Sequence, residues 1–339
     1  MHMADALVSP PVAGTMLVAS AAAAGVSIYK LRQENDEKRI PAMGVMGAFV
    51  FAAQMINFTI PGTGSSGHLC GGMMLSAILG PYAGFLTMIG VLLIQCLFFA
   101  DGGLMAIGCN IWNMAFYGCF VGALLIWKPI IKNGVNKTKI AIASIVACVL
   151  TLQLGAFSVT VETMISGITE LPFKSFLGVM QPIHLAIGFV EGLITAAVLI
   201  FIYEARPELL WGMTEKKENK FSLKKTFGII ALAAFITGGL ISLLASSFPD
   251  GLEWSMEKIA GTSELESSAS AAETAAKIQE KSSFLPDYAF KSSDSAVGTS
   301  VSGLVGALIV LVLCIVACRL FGFFMNRKTK TVKKVENNE

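Results

Sequence analysis

Long apolar runs that neither alternate nor break recur along this chain, and a run of about 20 such residues leaves the backbone few choices. In a bilayer the peptide groups must be satisfied within the element itself, which admits helices and closed barrels only. These runs lack the alternation of barrel strands, so they read as spanning helices. With 54% hydrophobic and 14% charged residues and a mean hydropathy of +0.69, the chain is expected to be an all-α, multi-pass protein of the cell membrane. Six of the seven cysteines, Cys96, Cys109, Cys119, Cys148, Cys314 and Cys318, lie inside apolar runs, where a small soft hydrophobe is the expected role, and no disulfide framework is implied.

Spans are read at 11–33, 41–60, 69–80, 82–100, 104–127, 138–161, 181–204, 225–246 and 302–325. The third is too short to cross a bilayer at about 1.5 Å per residue. Charge bias nonetheless requires it as a separate element. Connections 30–39, 128–139, 206–225 and the tail after 326 hold nineteen Lys and Arg, against Lys174, Lys258, Lys277, Lys281 and Lys291 in the other loops. Basic loops face the cytoplasm, so an even number of crossings must join the first two, and the Gly80-Pro81 break divides that stretch into a short embedded helix and a full span.

The expected topology is a seven-segment core, 1–205, a cytoplasmic linker, 206–224, and a two-span portion, 225–325, before a basic cytoplasmic tail, 326–339. The amino terminus lies outside and the carboxyl terminus inside. Residues 247–301, with nine acidic residues against four lysines, read as an outer hydrophilic loop, partly helical around Ala271 to Lys281 and otherwise flexible.

Met1-His2 begins the chain without a charged targeting segment. A bulky second residue disfavours removal of the initiator, so the Met1 amine is expected to persist. The amine, the His2 amide if deprotonated and the His2 imidazole form fused chelate rings close to a plane, a geometry suited to Ni(II) or Cu(II). The alternative is an ordinary residue in a frayed terminus. A second histidine sits in Pro61-Gly62-Thr63-Gly64-Ser65-Ser66-Gly67-His68-Leu69-Cys70. Its G-x-G-x-x-G spacing is flanked by spans rather than by a strand and a phosphate-facing helix, which excludes a dinucleotide site. Topology places this loop on the same side as Met1. The implied site comprises the Met1 amine, the His2 amide and imidazole, and the His68 imidazole, with Asp5, Asn57, Ser65 and Ser66 as candidates to orient the rings or simply as local caps and turn formers. Cys70 offers a thiolate or, alternatively, packing.

In the seventh span His184, Gly188 and Glu191 share one helical face. An ionisable residue inside a span belongs against protein or a polar cavity, so His184 and Glu191 are read either as a metal path or as a buried pair locking helices. Asn110 and Asn113 raise the same question. The first span carries Ala19/Ala23, Ser20/Ala24 and Ala21/Gly25 at small-xxx-small spacing, fitted to close helix contact within the chain or with a partner. No Walker-type phosphate loop occurs, so any ATP hydrolysis belongs to other subunits. No nucleic-acid partner is implied.

The segments Met1 to Pro10 (MHMADALVSP), Gly67-His68 and His184 to Thr195 (HLAIGFVEGLIT) resemble the NikM/CbiM family, the substrate-binding S components of energy-coupling factor transporters for nickel and cobalt. Pro249-Asp250-Gly251-Leu252-Glu253, with Pro286-Asp287-Tyr288, resembles the PDGLE-type NikN/CbiN component, fused here at the carboxyl end. The resemblance implies a transported metal held by Met1, His2 and His68, a transmembrane T component and two cytoplasmic ABC-type ATPases as partners, and no catalytic residue in this chain. The MHMADAL opening is closer to the nickel branch, with Co(II) as the alternative, and Cys70 departs from the apolar residue expected after His-Leu. Readings of another class are a permease driven by an ion gradient and a membrane metal sensor.

Overall fold

The computed structural model describes residues 1–34, 39–213, 218–263, 265, 269–291 and 296–336. Apart from one small hairpin, the regular elements among them are helices. α1 (Pro10–Glu34) starts on two prolines, tolerated because first-turn amides have no intrahelical acceptor. There follow α2 (Arg39–Gln54), the hairpin of β1 (Phe58–Ile60) and β2 (Ser65–Gly67), α3 (Gly72–Leu79), α4 (Pro81–Phe99), α5 (Ile107–Ile131), α6 (Lys137–Ser166) and α7 (Phe173–Ala205). The C-terminal portion holds α8 (Leu223–Gly239), α9 (Gly251–Ala260), α10 (Ser270–Ser282) and α11 (Ala296–Glu336). Six helices, α1, α4, α5, α6, α7 and the Val297–Ala317 part of α11, are long and apolar enough to cross a membrane. The chain is an all-helical multi-pass membrane protein.

Two segments are shorter than their apolar runs predict. α2 ends at Gln54, not near 60. Phe58 and Ile60, which extend the apolar run, belong instead to β1, where they pair with Gly67 and Ser65. Hydropathy sums do not distinguish helix from strand in so short a stretch. α8 ends at Gly239, and a single 3₁₀ turn, Ile241–Leu244, replaces the expected last turns of the helix. α3, eight residues long and buried at every position, is the embedded element that the Gly80-Pro81 break separates from α4. The helix expected around Ala271 to Lys281 is α10.

Glycines set the closest helix contacts. A Cβ on Gly188 or Gly192 of α7 would meet the α6 backbone at Val149 and Ile145, 3.0 and 2.6 Å away, so these two helices pack backbone to backbone. Gly303 of α11 crosses Gly238 of α8 in the same way, and α11 lies on α2, where Gly47 receives Val310. α1 is the outlier. Its buried residues are Ala13, Ser20 and Ser27, with Ser20 Oγ donating to the Gly108 carbonyl at 2.8 Å. Ala21 and Gly25, from the small-residue stripe, are exposed.

Candidate metal centre

The glycine-rich loop folds as the β1–β2 hairpin, with Gly62 and Gly64 at φ +77° and +75° in its turn. β2 is buried at all three residues, because Gly67 lies flush against Ile187 of α7 and leaves no room for a side chain. His68 follows, 8% exposed. The backbone then turns through Gly71 at φ +81°, and the Cys70 and Gly71 amides donate to the Glu191 carboxylate at 3.1 and 2.9 Å. Glu191 thus holds the loop that presents His68. Its neighbours on the buried face of α7 are His184, Ile187 and Gly188.

The amino terminus threads into this region as an extended, buried strap. Asn110 of α5 brackets Met3 from both sides, accepting from its amide at 2.7 Å and donating to its carbonyl at 3.1 Å. The Gly103 amide also donates to the Met3 carbonyl, at 2.8 Å. Asp5 accepts the Ala106 amide at 2.9 Å and closes the turn between α4 and α5. With Met3 pinned, the Met1 amine reaches His68 Nε2 at 2.9 Å. His68 Nδ1 lies 3.1 Å from the Leu69 carbonyl. That contact assigns the hydrogen to Nδ1 and leaves Nε2 with its lone pair toward the amine. The His2 ring stacks on the His68 ring at a centroid distance of 5.1 Å. His2 Nδ1 lies 3.0 Å from Asp101, and its Nε2 lies 3.3 Å from Gln95 Oε1.

The C-terminal portion closes the site. Ser66 bonds Pro249 and Phe248 through its amide and hydroxyl, at 2.8 and 2.7 Å, and Trp254 Nε1 donates to the Thr63 carbonyl at 3.1 Å. Asp250 is thereby brought 2.5 Å from the Met1 amine and 3.5 Å from His68 Nε2. The Tyr288 hydroxyl bonds Asp101. Burial alone would lower the pKa of the Met1 amine, but the Asp250 carboxylate outweighs it and holds the ammonium form above its ordinary value. Burial would likewise raise Asp250, and the Met1 ammonium and His68 outweigh it, keeping the carboxyl well below the usual range. Burial brings His2 down to about 4 against the pull of Asp101, so its ring is neutral near pH 7.

His68, distant in sequence from Met1 and His2, is therefore beside both. The candidate orienting residues fall elsewhere. Ser65 and Ser66 fasten the hairpin to the Phe248–Pro249 carbonyls, the Asn57 carbonyl accepts the Ser246 amide, and Asp5 serves the Ala106 turn. None of these bonds orients an imidazole; Leu69, Asp101 and Gln95 do. His184 lines a small cavity shared with Met1, His68 and Asp250, but its Nδ1 is committed to the Met180 carbonyl at 2.8 Å, and its Nε2 has no partner among the described residues. Cys70 is buried, and Asn113 bonds Glu162 of α6 at 2.8 Å. Asp101, Gln95, Asp250 and Tyr288 were not singled out as site residues by sequence. Two signals were present: Gln95 is a lone amide inside an apolar span, and Asp250 is the acidic residue of the Pro249–Glu253 motif. Among the described residues no three His, Cys, Asp or Glu side chains form a metal cluster by themselves; the amine is what makes this group a donor set.

Comparison with known proteins agrees with this architecture. Residues 2–209 match the CbiM family, described as the cobalt uptake substrate-specific transmembrane region, and residues 224–322 match the PDGLE domain. A putative fused nickel transport protein NikMN of Archaeoglobus fulgidus is 35% identical over 98% of this chain and 100% of its own length. The fused nickel transport protein NikMN of Rhodobacter capsulatus is 28% identical over 71% of this chain and 73% of its own. The cobalt transport protein CbiM of Sorangium cellulosum is 28% identical over 56% of this chain and 84% of its own. A crystal structure of a truncated transition metal transporter superposes with a TM-score of 0.53 and 28% identity, covering 60% of this chain and 99% of that one. With more than half of its length matched by one family and a full-length relative above 30% identity, this chain belongs to the CbiM family of substrate-specific transmembrane regions for cobalt uptake, joined in one polypeptide to a PDGLE domain.

Proposed function

We propose that this chain is the metal-capturing subunit of an ATP-driven uptake system for nickel, binding Ni(II) on the outer face through the Met1 amine, the His2 amide and imidazole, and the His68 imidazole. The observation that carries this reading is the 2.9 Å approach of the Met1 amine to His68 Nε2, with the His2 ring stacked beside it. Two ligands at about 2.1 Å from one ion and at right angles stand about 3.0 Å apart. Four nitrogens near a plane suit Ni(II), and the nickel transport relatives favour the same metal. Cobalt is the second reading, favoured by the family description and by the CbiM relative.

The chain's own groups prepare the donors. The Leu69 carbonyl fixes His68 with Nε2 free to bind. A neutral His2 ring carries one hydrogen, and the shorter, charge-assisted contact to Asp101 takes it on Nδ1. Chelation through Nδ1 needs the other tautomer, with the hydrogen on Nε2, where Gln95 Oε1 stands as acceptor. Asp101 thus favours the unchelated ring and Gln95 the chelated one.

The partners in this reading are a transmembrane T component and two cytoplasmic ABC-type ATPases, which supply the ATP hydrolysis. Co-purification from the native membrane should recover them, and metal uptake should require them. Nickel uptake into vesicles by this chain alone would overturn the reading in favour of a gradient-driven permease.

A further inference from the structure

We propose that Asp250, contributed by the PDGLE portion, is itself a ligand to the entering metal ion. This rests on the metal-binding reading above and extends it to a donor outside the substrate-specific region. Asp250 is the N-cap of α9, and its two carboxylate oxygens divide their work. Oδ1 accepts the Leu252 and Glu253 amides at 2.8 and 3.1 Å, while Glu253 returns the bond to the Asp250 amide at 3.1 Å, completing a capping box. Oδ2 takes no part in the cap. It is the atom that stands 2.5 Å from the Met1 amine and 3.5 Å from His68 Nε2, and these two nitrogens are 2.9 Å apart. Three donor atoms from three distant segments therefore converge at 2.5 to 3.5 Å from one another, distances that straddle the roughly 3.0 Å between neighbouring ligands of one ion at about 2.1 Å.

The placement is built rather than incidental. Ser66, two residues before His68, holds the Phe248–Pro249 carbonyls, so the hairpin that carries His68 also carries Asp250. A Cβ on the next residue, Gly251, would meet Ile187 Cδ1 at 2.7 Å and His184 Cε1 at 3.1 Å, so the segment sits directly against the side chains of α7. A carboxylate also suits the first encounter. It is an anionic oxygen, whose charge attracts a hydrated divalent cation to the site. Four nitrogens fill a square plane, so the carboxylate is a donor off that plane.

The test is Asp250→Asn in the full chain with an unextended amino terminus. Asparagine caps a helix as well as aspartate does, so α9 and its docking should persist, and an unchanged thermal unfolding midpoint checks this. Ni(II) and Co(II) competition titrations should show affinity falling by about tenfold or more, and the ligand-field absorption of bound Co(II) should shift as one oxygen donor leaves. Affinity that is unchanged, or tighter because Oδ2 merely competed with the ion for the amine, would overturn the proposal. So would weaker binding with an unshifted spectrum, which would make Asp250 a positioning residue. His68→Ala and an amino-terminal extension, run in parallel, separate the two levels. If they lose binding while Asp250→Asn retains it, only Asp250 is wrong; if all retain it, the metal site itself is misplaced.

Discussion

His68 and His184 are both buried and line one small cavity, yet they differ in what surrounds their free nitrogen. His68 Nε2 meets an amine from residue 1 and a carboxylate from residue 250. His184 Nε2 meets no hydrogen-bond partner among the described residues, and its Nδ1 is spent on its own helix at Met180. Burial of an imidazole is thus no guide to its chemistry. Convergence of donors from segments far apart in the chain is the better one, because keeping an ammonium, two imidazoles and a carboxylate out of water is expensive unless they satisfy one another.

The contrast is broken most directly at the amine. An uncleaved extension of several residues ahead of Met1 should weaken Ni(II) binding by more than about a hundredfold, since it turns the Met1 amine into an amide and leaves His2 too far from the new amine to share chelate rings with it; calorimetry on tagged and untagged protein measures this, and equal affinities would return the amine to a structural role. His68→Ala should follow, weakening binding by about ten- to a hundredfold with little change in unfolding temperature.

Next in size is pH. Metal must displace the proton that Asp250 helps the amine retain above its ordinary value, whereas His2, at about 4, is already neutral. With the amine and the His2 amide each giving up one proton, apparent affinity should rise about a hundredfold per pH unit until the amine's raised value is passed and about tenfold per unit beyond it, with two protons released per ion on the acid side in buffers of different ionisation enthalpy. The stability of the metal-free protein should run the opposite way. A raised amine contributes fully below its ordinary value of 8.0 and loses that contribution as pH climbs through the folded value.

Glu191→Ala sharpens the comparison by leaving the Cys70 and Gly71 amides without their buried acceptor. A destabilisation of about 1–3 kcal/mol per amide is expected, read by thermal unfolding, with metal binding impaired only as the His68 loop loosens. His184→Ala should do least, leaving Ni(II) affinity within about threefold of the parent, the scale of a side chain that touches no ligand. Loss of binding confined to this variant would move the site into α7.

Run length and spacing made much of the fold legible. The apolar stretches located the six membrane-length helices, and the break at Gly80-Pro81 separated α3 from α4. Spacing likewise put His184, Gly188 and Glu191 on one face of α7, the face that is buried. The failures have a common cause. Phe58 and Ile60 lengthened an apolar run that turns into a hairpin, and Ser65 and Ser66 looked placed to orient a ring but instead fasten the hairpin to the C-terminal portion. Asp101 and Gln95 flank His2 with no local sequence signal that pairs them with it. In each case the local pattern permitted two outcomes, and a partner remote in sequence selected one.

The sequence by itself determined the class of protein and most of its helices, because bilayer thickness and helical period act over a few turns and are written in neighbouring residues, and it displayed His2 at the amino terminus and His68 in the glycine-rich loop. Only the tertiary structure decided which atoms meet. The contacts of the Met1 amine with His68 and Asp250 span 67 and 249 positions. They exist because Asn110 pins Met3, Glu191 holds the loop beyond His68 and Ser66 grips the segment before Asp250. Such contacts carry no local signature, since their free energy comes from groups that become neighbours only when the helices pack.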